Sequence, residues 1–132
     1  MQWGRGVMGV LYLGAGVMHF VVMRAYVAIV PGYLPAHHAL VVVSGVAEMA
    51  GGLGVLVGVW FPGVGRAAAW GIVLLLLAVW PANLWMVQHP ELFPWVPLWV
   101  AWVRLPLQVP LIWWALRYAV LRGRRETLGV GA

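Results

Sequence analysis

The stretch Ala39–Phe61, ALVVVSGVAEMAGGLGVLVGVWF, decides the fold. As a helix it is long enough to cross the roughly 30 Å hydrocarbon core of a bilayer, and its one charge is Glu48. A carboxylate in hydrocarbon costs at least ~2.5 kcal/mol even on lenient insertion scales, so it has to point into protein and find polar partners there. Three other apolar runs carry strongly polar residues of their own: His19 in the first, Asn83 in the third, and Arg104 with Gln108 in the fourth.

Composition agrees with a membrane class. Hydrophobic residues make up 64% of the chain and charged residues 8%, with a mean hydropathy of +0.95, far outside the range of water-soluble domains. At roughly 20 residues per crossing, 132 residues leave room for four spans and short connections. The expected fold is therefore all-α: an integral membrane up-and-down four-helix bundle forming a single transmembrane domain, with spans near residues 7–23, 39–61, 67–87 and 97–121. No cysteine is present, which excludes disulfides, thiol relays and thiolate metal sites.

The connections follow from their punctuation. Residues 24–38, with Arg24, Tyr26, Pro31-Gly32-Tyr33-Leu34-Pro35 and His37-His38, read as an amphipathic link lying along the interface. Phe61-Pro62-Gly63 stops the second span, and Val64-Gly65-Arg66 reads as a tight turn into the third, making a helical hairpin. Residues 88–97, holding His89-Pro90-Glu91 and Pro94, form a second short loop. Arg5 before an apolar run resembles a signal peptide, but no small-x-small cleavage site follows, so the run is expected to stay as the first helix. Short loops rich in Lys and Arg remain cytoplasmic. Arg5, Arg66, Arg117, Arg122, Arg124 and Arg125 fall on one side of a four-span topology against Arg24 and Glu91 on the other, which predicts both termini cytoplasmic.

Counting about 1.5 Å per residue from the exterior ends puts His19 and Asn83 about one turn deep, Glu48 roughly 13 Å deep, and Arg104 and Gln108 roughly 10 to 17 Å deep. Four helices thus place polar groups at comparable heights, which a bundle interior can bring together. The faces agree. Ser44, Gly45, Glu48, Gly51 and Gly52 form one small and polar stripe. Ala101, Arg104, Gln108 and Ile112 share a face, as do Tyr12, Gly16, His19 and Met23. Pro81 frees the carbonyl of Leu77, and Pro106 and Pro110 free those of Trp102 and Pro106, which suits kinked helices lining a cavity. The polar core His19, Glu48, Asn83, Arg104 and Gln108 has two readings. A fully bonded Glu48–Arg104 pair would fix helix register without chemistry, whereas intramembrane ionisable groups commonly mark ligand or proton sites.

Other signals point to packing or to the bilayer. Gly4-Arg5-Gly6-Val7-Met8-Gly9 matches the spacing of a dinucleotide fingerprint, but no strand precedes it, so it is expected to be accidental. Ala50, Gly54 and Gly58 suit packing within the bundle rather than dimerisation. His37, His38 and His89 lack the carboxylate or thiolate company of a metal site, and no metal is expected. Haem is disfavoured because His19 alone is well placed inside a span. Trp80, Trp85, Trp95, Trp99 and Trp102 fit an interfacial belt, and could also wall a flat ring such as a quinone. The tail from Arg117 to Arg125 reads as topogenic and lipid-binding rather than as a nucleic-acid arm, because it abuts a span.

Five segments in order resemble a known family. His19-Phe20, Pro31-Gly32-Tyr33-Leu34-Pro35, Ser44-Gly45-Val46-Ala47-Glu48, Pro81-Ala82-Asn83 and Arg104-Leu105-Pro106-Leu107-Gln108 together are similar to the DoxX-like membrane proteins, small four-helix bundles widespread in bacteria. The resemblance implies a multi-pass protein of the bacterial cytoplasmic membrane with a loose link to redox, since some relatives are subunits of thiosulfate:quinone oxidoreductases. Relatives that handle thiols are poor guides for a chain without cysteine. Two functions are expected. The first is an accessory subunit, not a stand-alone enzyme, docked on a larger membrane redox or assembly complex. The second is a binder of a quinone or other small apolar ligand in the exterior half of the bundle, with Glu48 and His19 exchanging protons.

Overall fold

Backbone N–H and C=O groups in hydrocarbon have to be satisfied internally, and the chain does this with helices. The computed structural model describes residues 2–127, with side chains described over residues 3–120. Five α-helices are present: α1 (Gln2–Val21), α2 (Met23–Ile29), α3 (His37–Val57), α4 (Pro62–Gln88) and α5 (Leu98–Thr127), with a 3-10 turn at Pro90–Leu92 and no strand among the described residues. Arg122, Arg124 and Arg125 of the basic tail lie outside the described side chains.

Three segments, Trp3–Val21, His37–Val57 and Pro62–Gln88, are long and apolar enough to cross a membrane. The fourth expected span, α5, is longer than any of them but is not among the three. Arg104 and Gln108, together with its prolines and tryptophans, dilute its hydropathy.

The expected boundaries need correction at the connections. The link after the first span is not a simple surface strap, because it forms α2, which packs on α1, α3 and α4. The α3–α4 turn lies at residues 58–61, and α4 begins at Pro62, a first helical position where a missing N–H costs nothing. Val64-Gly65-Arg66, expected as a turn, is therefore helical. Ahead of α3, Ala36 takes a left-handed conformation at φ 52°, a strained choice for a residue with a Cβ.

Glycine sets the spacing of the long helices. Gly9 and Gly16 of α1 lie against Gly52 and Gly45 of α3, and a Cβ added at Gly16 would sit 2.7 Å from the Gly45 carbonyl oxygen. Gly51 and Gly54 of α3, with Gly58 just past its end, meet Ile72, Ala68 and Gly65 of α4 in antiparallel register. The Gly54 and Gly58 repeat thus packs inside the molecule, as its spacing suggested. Ala50 is exposed. α5 packs chiefly on α4 and reaches α1 through Trp114 and Tyr118, which lie over Gly4.

Two apolar cores result. One joins Met8, Tyr12, Val55, Ile72, Val73, Leu76 and Ala115 near the α3–α4 turn. A smaller one joins Met86, Phe93 and Ala101 at the other end, with Ile29 and Trp85 against it. The loop Pro31–Pro35 is held there by Tyr33, edge-on to Trp85 at 5.6 Å, while His89 stacks on Trp85 at 3.7 Å. Between the two cores lies a layer that brings several polar side chains together among apolar ones.

Candidate functional site

A cavity of about 420 Å³ occupies that intermediate layer. Each long helix contributes a wall: Ala15 and His19 from α1, Leu40 to Glu48 from α3, Leu75 to Asn83 from α4, and Arg104 from α5. Tyr26 and Ile29 of α2, with Val30, Pro31 and Leu34 of the following loop, cover it. Four of the five polar residues expected in one cluster, His19, Glu48, Asn83 and Arg104, line this single space.

The expected partnership of Glu48 with Arg104 is corrected. The carboxylate lies 3.5 Å from His19 Nδ1, and no ion pair to Arg104 within 4.0 Å is formed among the described residues. Packing explains the choice. α1 sits close on α3 through the Gly16–Gly45 approach, which carries His19 to Glu48, while Arg104 belongs to the helix packed on α4 and enters from another wall.

His19 Nδ1 also lies 3.0 Å from the Ala15 carbonyl oxygen. A carbonyl can only accept, so in the neutral ring this nitrogen carries the hydrogen and Nε2 is left as the acceptor. The imidazole is buried and stacked on Tyr26, ring centroids 3.9 Å apart. Burial, and after it the Glu48 carboxylate, push the Tyr26 phenol above its usual 10.0, with Arg104 acting the other way. The ring over His19 thus stays a neutral donor at physiological pH. Tyr26 was missed in the sequence because it falls in an apparent connection, and the helical break at Val22 between α1 and α2 means that no single helical face carries it to His19.

Gln108 does not join the cavity. It is buried below, and its Nε2 donates 3.0 Å to the Leu76 carbonyl oxygen, strapping α5 to α4. That carbonyl is the neighbour of the one Pro81 was expected to free. Ser44, by contrast, is a wall residue whose hydroxyl donates to Val41 within its own helix at 3.0 Å.

The remaining polar groups are not internally satisfied, so of the two readings of the cluster the fully bonded one does not describe this arrangement. Glu48 Oε2 is buried without a hydrogen-bond partner, as is Gln108 Oε1 outside the cavity. Among the described residues the Asn83 amide, on a residue 6% exposed, makes no side-chain hydrogen bond, and neither does the Arg104 guanidinium. An unmet buried polar group costs ~1–3 kcal/mol, and a charged one more. The cavity therefore presents a set of donors (Asn83, Arg104) and an acceptor (Glu48) arranged around a space large enough for a small molecule. His37, His38 and His89 lie outside its lining, and His89 Nδ1 bonds the Trp85 carbonyl oxygen at 3.2 Å.

The model of one protein family, described as a domain of unknown function (DUF8561), matches residues 8–119, a span that takes in every cavity-lining residue. No curated protein and no solved structure matches the chain.

Proposed function

We infer, for a chain that belongs to the DUF8561 family, that it is a multi-pass membrane protein binding a lipid-soluble molecule with a hydrogen-bond-accepting head. One observation carries this: Arg104, Asn83 and Glu48 line a single cavity without hydrogen-bonding one another, and Glu48 Oε2, 3.5 Å from His19 Nδ1, accepts no hydrogen bond. A permanent cation in such a place is expensive unless something else bonds it. A carbonyl or anionic oxygen on the ligand would accept from Arg104 and Asn83. A ligand hydroxyl would donate to Glu48, and His19 beside that carboxylate can take up or return a proton through Nε2.

The DoxX-like resemblance and its loose redox link make a quinone the first candidate. An accessory role in a larger membrane redox complex is the second reading, supported by short connections that leave little surface outside the helices. We further propose that α5 crosses with α1, α3 and α4, giving four spans with both termini on the cytoplasmic side of a bacterial inner membrane. A reporter active only in the periplasm should stay silent when fused after Ala132, and activity there would reverse the orientation.

The test of binding is direct. Organic extraction and mass spectrometry of the purified protein should yield a lipid-soluble compound near one equivalent. Detergent and bulk phospholipid alone, in repeated preparations from native membranes, would count for the accessory reading instead.

A further inference from the structure

Helices α3 and α4 meet along two stripes in fixed register. Gly58 faces Gly65, Gly54 faces Ala68, and Gly51 faces Ile72, close enough that an added Cβ at Gly54 or Gly51 would stand 2.6 Å or 2.9 Å from the facing side chain. The alternating steps of four and three continue on both helices, as Ala47, Ser44 and Leu40 on α3 and Leu75, Val79 and Ala82 on α4. Had the seam stayed closed, these six would be the next three contacts. All six line the cavity instead. A single turn beyond Gly51 the cavity takes the place of the seam, and exposed residues border it: Val43 is 65% exposed, and Ala47, Ala78 and Pro81 are exposed, while all four also line the cavity. The rim of this gap is uncharged, and the charge-bearing groups His19, Glu48 and Arg104 stand deeper. Above, the half-buried Tyr26, Ile29 and Leu34 and the buried Pro31 cover the space.

We propose that this gap is a lateral window through which the cavity loads from the hydrocarbon phase, its occupant being a single-tailed amphiphile with the head among Asn83, Arg104 and Glu48 and the tail lying between α3 and α4. The proposal deepens the ligand-binding reading and rests on it. An uncharged mouth suits acyl chains and not water. A cavity whose polar groups cluster at one place, reached through an apolar slot, selects for molecules with one polar end, because a fully apolar guest would leave Asn83 and Arg104 unbonded.

A chain without cysteine makes the test clean. Nitroxide attached to full-length Ala47→Cys and Ala78→Cys, reconstituted in phosphatidylcholine bilayers, should collide several-fold more with oxygen, which concentrates in hydrocarbon, than with a water-soluble nickel chelate. The reverse ratio would show a window onto water and overturn the proposal. Decylubiquinone, a ring with a ten-carbon tail, should then slow both labels and leave those at Val17→Cys and Val109→Cys, on exposed outer faces, unchanged. It should also quench tryptophan fluorescence with at least tenfold higher affinity than the tailless ring. Saturable quenching without any effect on the Ala47 and Ala78 labels would reject the window and leave the binding reading intact. Failure of decylubiquinone and of oleate to bind wild-type protein would remove the binding reading and the window together.

Discussion

A Gly52→Leu chain is expected not to reach a monodisperse folded state in mild detergent, although the substitution makes α3 more apolar and a better helix former. A Cβ at Gly52 would stand 2.5 Å from the Leu13 backbone nitrogen and 2.6 Å from the Gly9 carbonyl oxygen. Both obstacles are main chain, so no rotamer change relieves them and α1 has to move away bodily. Overpacked cores lose ~1–3 kcal/mol when side chains can yield, and more is expected where they cannot. The loss is compounded because helices in lipid gain nothing from excluding apolar surface and depend on close packing. Gly14 supplies the control. It lies on the same helix as Gly9 with nothing within 4 Å of an added Cβ, so Gly14→Leu should elute and melt as the wild type does. Size-exclusion profiles and thermal unfolding of the two variants, side by side, decide the matter. Equal behaviour would mean that the α1–α3 approach is not as tight as described.

The second large effect runs in opposite directions for stability and for binding. Arg104→Gln should leave the unliganded protein as stable as wild type or raise its unfolding temperature, because it removes a cation that holds no ion pair within 4.0 Å among the described residues and that costs ~2.5–3.5 kcal/mol inside a membrane. The same substitution should weaken decylubiquinone ten- to a hundredfold, the loss of a charge-assisted hydrogen bond of ~1.5–3 kcal/mol. Glu48→Gln, which keeps shape and removes the charge from the group beside His19, should likewise fold and bind more weakly. A register-fixing role gives the contrary pattern. Breaking a bonded buried pair destabilises by several kcal/mol, so a sharp fall in the melting temperature of Arg104→Gln with unchanged affinity would return the cluster to scaffolding.

Much of this was legible in the chain. Ala39–Phe61 announced a helix with an inward acid, and of the stripe Ser44, Gly45, Glu48, Gly51 and Gly52, the residues Gly45, Glu48 and Gly52 meet α1 while Gly51 meets α4 and Ser44 lines the cavity. Periodicity gave faces well and partners badly. Gln108 and Arg104 stand one turn apart on one face, which suggested one destination, yet about 6 Å along an axis separates a cavity wall from the layer beneath it. Glu48 and Arg104 looked like natural partners by charge, but which helix adjoins which is settled by where glycines allow approach, and that involves pairs distant in sequence. The α2 cover was hidden for another reason. Seven residues with an arginine and no strongly apolar run carry a weak helical signal of their own, and their order comes from the surfaces they land on.

The two apolar layers limit what any occupant of the middle layer can do. Met8, Ile72 and Ala115, each 0% exposed, close the interior on the side of the α3–α4 turn, and Met86 with Phe93 closes it at the opposite end. Among the described residues, the gap proposed as a window is the opening these two layers leave. On the window proposed above, a guest that enters between α3 and α4 leaves by the same gap, so it is expected to be taken up and released within one leaflet.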